Sequence, residues 1–175
     1  MMRPFMFAGF VFWLMTVRCQ AVNHLYCTQQ LNECQCITNQ PGFILDLRRF
    51  DIGSSTKASF SAKAPDGYTY MYSPCTPFSL DVSGSCGQPT AVCQWASDDN
   101  NYQAGYHVNA QFQLDMSAGL YVRYYVIDSQ GHVARTTKVF LQCHAGEDGF
   151  QAMGELPLNS GNYHLQLNST YFCRK

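Results

Sequence analysis

Apolar and polar residues alternate with a period of two along several stretches of the chain, the pattern of half-buried strands. "GFILDLRRF" (Gly42 to Phe50) is the first strand-like run, and "GYTYMYSPC" alternates Tyr68, Tyr70 and Tyr72 before a Pro-Cys stop. "GLYVRYYVI" and "HVARTTKVFLQC" flank the turn-forming tetrapeptide "DSQG", so they predict a hairpin. "NYHLQLNSTYFC" alternates again toward Cys173. No amphipathic helix is expected beyond the N-terminal region, although "CTQQLNEC" (Cys27 to Cys34) could form a short helical turn. Short strands separated by turns predict an all-β barrel or sandwich.

Counting by twos puts Arg135, Thr137, Val139, Leu141 and Cys143 on one face of their strand. Thr136, Lys138, Phe140 and Gln142 fall on the other. Arg135 therefore stands at the end of a mainly apolar face. Either it is a surface arginine that snorkels outward at a strand end, or its guanidinium points into a cavity mouth and offers donors to a ligand. In the last strand Tyr163, Leu165, Leu167, Ser169, Tyr171 and Cys173 share a face, and His164, Gln166, Asn168 and Thr170 share the other. Asn168-Ser169-Thr170 is an N-glycosylation sequon, with Asn168 on the polar face.

Eleven tyrosines and twelve phenylalanines strengthen the β reading. Charged residues make up only 13% of the 175, and the net charge is -1, so no basic surface for nucleic acid or anionic lipid is expected. The length suits a single domain.

The N-terminus, "MMRPFMFAGFVFWLMTVRCQAVN", has a basic Arg3 followed by an apolar run from Phe5 to Val17. That run is short for a bilayer span and suits the core of a signal peptide. Cys19 and Ala21 occupy the small-residue positions of a cleavage after Ala21, so residues 1–21 are expected to be a signal peptide and 22–175 one domain. Arg18 fits that window poorly, and the alternative is a membrane anchor or a buried strand. Removing Cys19 from nine cysteines leaves eight: Cys27, Cys34, Cys36, Cys75, Cys86, Cys93, Cys143 and Cys173. An even set in a secreted chain predicts four bridges. The rival, zinc at the Cys27, Cys34 and Cys36 cluster, lacks paired CxxC knuckles. No metal, cofactor or further membrane span is expected, and the compartment is the secretory lumen or the exterior.

Six pieces in order resemble the mannose 6-phosphate receptor homology domain, a lectin-type module of the secretory pathway. They are "LDLRRF", "YSPCTPF", "CGQPTAVCQ", "GLYVRY", "ARTTKVFLQC", and "GEL" followed by "YHLQLNSTYFC", covering Leu45 to Cys173. The resemblance implies a flattened β-barrel or sandwich of two crossed antiparallel sheets. It implies a sugar site of Gln94, Arg135, Glu155 and Tyr163: Gln94 and Arg135 would read the axial 2-hydroxyl of mannose, and Glu155 and Tyr163 would hold the 3- and 4-hydroxyls. The residue types suit the task, because adjacent hydroxyls need fixed donors beside fixed acceptors and one group able to do both. The resemblance also implies bridges Cys143–Cys173 and Cys86–Cys93, with Cys75 bonded to Cys34 or Cys36.

Two departures accompany the match. A further bridge common in the family is missing, since Asp128 to Ala134 and Leu156 to Asn162 hold no cysteine. The loop "DSQGH" is also short where phosphate-binding members have a longer one, so the expected ligand is unphosphorylated mannose on the N-glycans of glycoproteins. Such a domain would act in glycoprotein sorting or quality control. The alternative is the same fold used as a protein-interaction module without sugar binding, with Gln94 a loop amide, Glu155 a solvated acid and Tyr163 a core phenol. An enzyme is not expected. Glycoside hydrolysis needs two carboxylates, only Glu155 falls in the set, and His24, His107, His132, His144 and His164 match no metal or triad spacing.

Overall fold

The computed structural model describes residues 24–173, so the expected signal segment with its cleavage after Ala21, and Cys19, lie outside the described residues. Twelve strands run in chain order: β1 (Cys27–Asn32), β2 (Gln35–Thr38), β3 (Ile44–Asp46), β4 (Phe60–Lys63), β5 (Thr69–Tyr72), β6 (Val92–Ser97), β7 (Asn100–Gly105), β8 (Gln111–Asp115), β9 (Gly119–Ile127), β10 (Val133–Cys143), β11 (Gly149–Glu155) and β12 (Asn162–Ser169). They form a small sheet β1-β2-β3, a four-stranded sheet β4-β5-β6-β7 and a five-stranded sheet ordered β11-β12-β10-β9-β8. The fold is an all-β, disulfide-stapled sandwich and not a closed barrel.

The side chains that alternation sends inward build the core between the two larger sheets. Tyr70 and Tyr72 from β5, Val122 and Tyr124 from β9, Val139 from β10, and Leu165 and Leu167 from β12 are all fully buried. Each aliphatic of this kind contributes roughly 1.5–3 kcal/mol through burial. Tyr72 and Tyr124 meet hydroxyl to hydroxyl at 3.0 Å across the two sheets, so neither buried phenol is left unpaired. Thr137, also fully buried, donates to the Ala104 carbonyl at 2.7 Å and so ties β10 to β7.

The expected hairpin is present: β9 and β10 pair antiparallel around Asp128 to His132, and the Asp128 carboxylate accepts from the backbone N–H groups of Gln130 and His132. Three local expectations change. "CTQQLN" is a strand, because its ladder with β2 and the Cys27–Cys36 bridge outweigh any helical preference of a run with no apolar stripe. The first expected strand stops at Asp46, whose carboxylate accepts from the Arg48 N–H at 3.0 Å and starts a 3-10 turn, Leu47–Phe50. The five-stranded sheet is not wholly antiparallel, because β12 runs parallel to β10. The chain leaves β10, forms β11 at the sheet edge and returns as β12 in the space between them.

Four disulfides staple this arrangement. Cys86–Cys93 and Cys143–Cys173 are as expected, Cys75 pairs with Cys34, and Cys27 pairs with Cys36. Every cysteine of the rival zinc cluster is thus committed to a bridge. Four bridges indicate an oxidising, extracellular or lumenal environment. No helix among the described residues is long and apolar enough to cross a membrane.

His107 gives the fold a pH dependence. It is buried, one ring nitrogen lies 2.9 Å from the Ser73 carbonyl, and Nδ1 has no partner among the described residues. Burial lowers its pKa from the ordinary 6.5, against the opposing pull of the Ser73 carbonyl, Asp51 and Glu33. The unfolded chain therefore takes up the proton first as pH drops. The stability associated with neutral His107 is present above about pH 6.5 and is lost progressively below it. Burial and Lys138 lower His164 in the same direction. The urea midpoint should hold steady above neutrality and decline from pH 6.5 to 5, and His107→Gln should flatten part of that decline. An unchanged slope in the variant would contradict this assignment.

Candidate functional site

Two rows of side chains, one from each large sheet, meet at one end of the core. Tyr70, Gln94 and Tyr102 are register partners across β5, β6 and β7, so they share a face. Opposite them, Glu155 at the end of β11 pairs with Tyr163 near the start of β12, and Tyr163 pairs with Thr137 of β10. Arg135 lies two residues before Thr137 on the same face, and its guanidinium carbon sits 4.8 Å from the centre of the Tyr102 ring. The Tyr70 and Tyr163 rings close the inner side at 5.7 Å. The structure therefore brings Gln94, Arg135, Glu155 and Tyr163 into one cluster.

Local chemistry explains how each is held. The Cys86–Cys93 bridge anchors Cys93 in a small apolar cluster with Phe78 on the outer side of the four-stranded sheet. Gln94, next in the strand, consequently points into the space between the sheets, where it is almost fully buried and donates from Nε2 to the Tyr70 hydroxyl at 3.1 Å. Arg135 makes a long 3.5 Å contact with the Gln103 carbonyl in addition to its stacking on Tyr102. Among the described residues it has no carboxylate within 4.0 Å. Glu155 accepts from the Gly161 N–H at 2.6 Å. Gly161 is left-handed (φ 68°), and a Cβ there would lie 2.8 Å from the Ala134 carbonyl, so only glycine lets this loop press against the start of β10. With the Thr136 N–H donating to the Gly161 carbonyl at 2.8 Å, these bonds tie the loop before β12 to the start of β10 and the end of β11.

The electrostatics are asymmetric. Burial raises the Tyr163 phenol above its ordinary value, and the nearby Arg135 guanidinium pulls it back down. The inner part of the cluster, Gln94 and Tyr163, is nearly buried, whereas Tyr102 is 38% exposed and Arg135 and Glu155 are partly exposed, so it opens to solvent on that side. The cluster thus offers guanidinium and amide donors, a carboxylate acceptor and a phenol of both kinds.

Three members are not anticipated from the sequence. Tyr102 supports Arg135, Tyr70 holds Gln94, and Asp66 holds Tyr70. Tyr70 carries a signal only as one of an alternating tyrosine run, and Asp66 lies in "PDG", which reads as a turn.

The sequon is placed less openly than expected. Asn168 does project from the outer face of β12, but it is only 8% exposed and its carboxamide oxygen accepts from Gln166 at 2.6 Å. A cavity of about 770 Å³ lies on this same outer side, lined by Asp115, Lys138, Phe140, His164 and Gln166, and none of the four clustered residues lines it.

The geometry defines an all-β, disulfide-stapled sandwich with a polar cluster between its sheet ends. No family model matches the chain, and no curated protein matches it.

Proposed function

We propose that the chain is a lectin of the secretory pathway that binds unphosphorylated mannose at the ends of N-glycans. What supports this reading is the convergence of Gln94, Arg135, Glu155 and Tyr163 from four strands of two sheets, around a space open on one side. A hexose hydroxyl donates once and accepts twice, and neighbouring hydroxyls need alternating partners. Arg135 and the Gln94 amide would meet the axial 2-hydroxyl, and Glu155 and Tyr163 the 3- and 4-hydroxyls. An equatorial 2-hydroxyl would leave buried donors unmatched, which disfavours glucose. The setting proposed for this activity is glycoprotein sorting or quality control, with no chemical turnover.

Glu155→Gln tests the acceptor role. The amide keeps one oxygen for the Gly161 N–H but loses the charge that strengthens bonds to sugar hydroxyls. Mannose binding on a glycan surface should weaken by about tenfold, on the order of 1.5 kcal/mol, with folding unchanged. Unaltered binding would remove Glu155 from the site. If the wild-type chain binds no glycan, the protein-interaction reading takes its place.

A further inference from the structure

Asp66 lies in the turn between β4 and β5, yet its carboxylate governs two of the four clustered residues. Oδ2 accepts from the Tyr70 hydroxyl at 2.7 Å and from the Glu155 backbone N–H at 2.9 Å, and Oδ1 accepts from the Tyr68 N–H at 3.1 Å. Tyr70 is fully buried, and burial together with the hydrogen bond to Asp66 pushes its phenol far above the ordinary value, so it stays protonated. A hydroxyl has one proton to give. With that proton committed to Asp66, Tyr70 presents only lone pairs to Gln94, and only the nitrogen end of the amide can satisfy them.

The amide is therefore oriented. Its carbonyl oxygen and second N–H have no partner among the described residues and are left for a ligand. If Asp66 lost its acceptor, Tyr70 could donate to the carbonyl oxygen of Gln94 instead. The amide would turn over, and donor and acceptor would exchange places toward the sugar.

The second route runs through β11. Gly154 has φ 84° at a register irregularity of the β11–β12 ladder, and a Cβ on it would lie 2.5 Å from Asp66 Oδ2. Glycine lets the bulged strand approach the carboxylate closely enough for the next residue, Glu155, to donate its N–H. One carboxylate thus fixes both the polarity of Gln94 and the position of Glu155.

We propose that Asp66 is a positioning residue that sets selectivity for the axial 2-hydroxyl, through Tyr70 and Gln94, without touching the sugar. This inference rests on the lectin reading, and two measurements keep the two apart. The first needs no ligand. In the ¹⁵N-labelled full chain, the Gln94 side-chain amide should give two well-separated, slowly exchanging proton resonances. Asp66→Ala, which removes the acceptor outright, should collapse them toward the values of a free glutamine side chain. The second is the ratio of binding to mannose-terminated over glucose-terminated surfaces. Asp66→Ala should lower it by about tenfold, the scale of one misplaced hydrogen bond.

Tyr70→Phe keeps the ring packed against Tyr163 and the Asp66 bond to Glu155, so it serves if Asp66→Ala fails to fold, and it should lower the ratio similarly. A Gln94 signature and a sugar ratio unchanged in the folded variants would overturn the proposal. If the wild-type chain binds neither sugar, the lectin reading fails, and an unchanged amide signature in Asp66→Ala would still refute the orientation by Asp66.

Discussion

Arg135→Ala is expected to lower affinity for mannose-terminated glycans about ten- to a hundredfold while leaving the melting temperature in place. The two effects separate because of what Arg135 touches. Within the described residues it makes one long bond to the Gln103 carbonyl, lies over the partly exposed Tyr102 ring and stands beside the Tyr163 hydroxyl, so its removal disturbs little of the core. Its guanidinium donors face the space beside Tyr163 and lack a carboxylate partner among the described residues. Charge-assisted bonds to a sugar hydroxyl contribute roughly 1.5–3 kcal/mol, which sets the expected loss. Lysine should not restore binding, because an ammonium cannot both stack on Tyr102 and present a planar pair of donors. Single-sugar sites are weak, so the comparison belongs on a multivalent surface, where avidity makes the loss measurable. Equal binding by wild type, Arg135→Ala and Arg135→Lys would return Arg135 to the role of a snorkelling surface residue.

Replacing Cys143 and Cys173 together by alanine should cost about 2–5 kcal/mol, read as a lowered denaturant midpoint. The bridge closes a loop with a sequence separation of 30, and that loop contains β11 and β12 and with them Glu155 and Tyr163. Cross-linking its ends restricts the unfolded chain, and it also pins the end of β10 to the turn that follows its parallel neighbour β12. In the folded state β12 is held by two ladders and by Leu165 and Leu167 in the core, so the fold should survive at low temperature. A midpoint within experimental error of wild type would show that the bridge adds nothing.

Alternation made the faces of β10 and β12 legible. Thr137, Val139, Leu165 and Leu167 are buried as the period of two expects, and "DSQG" marked the turn between β9 and β10. Cysteine pairing beyond the count depended on resemblance, and the choice of Cys34 over Cys36 required the fold. The parallel placement of β12 beside β10 was not legible, because strand order across a sheet leaves no local trace in a strand's own residues. β1 was missed for a related reason: nearly every residue in it is exposed, and its pairing alone makes it a strand. At the site, the four polar residues were readable as types suited to a sugar. Their supports were not, since Asp66 carries a turn's signature and Tyr70 a core residue's, and their joint role depends on hydrogen bonds made across the fold.

The central claim is mannose recognition by this cluster. Its most direct test applies the disulfide-bonded chain to surfaces carrying N-glycans that end in mannose, glucose or galactose. The account predicts retention on the mannose surface alone, reversed by free mannose and not by free glucose. Equal retention on all three surfaces, or none on any, would contradict it.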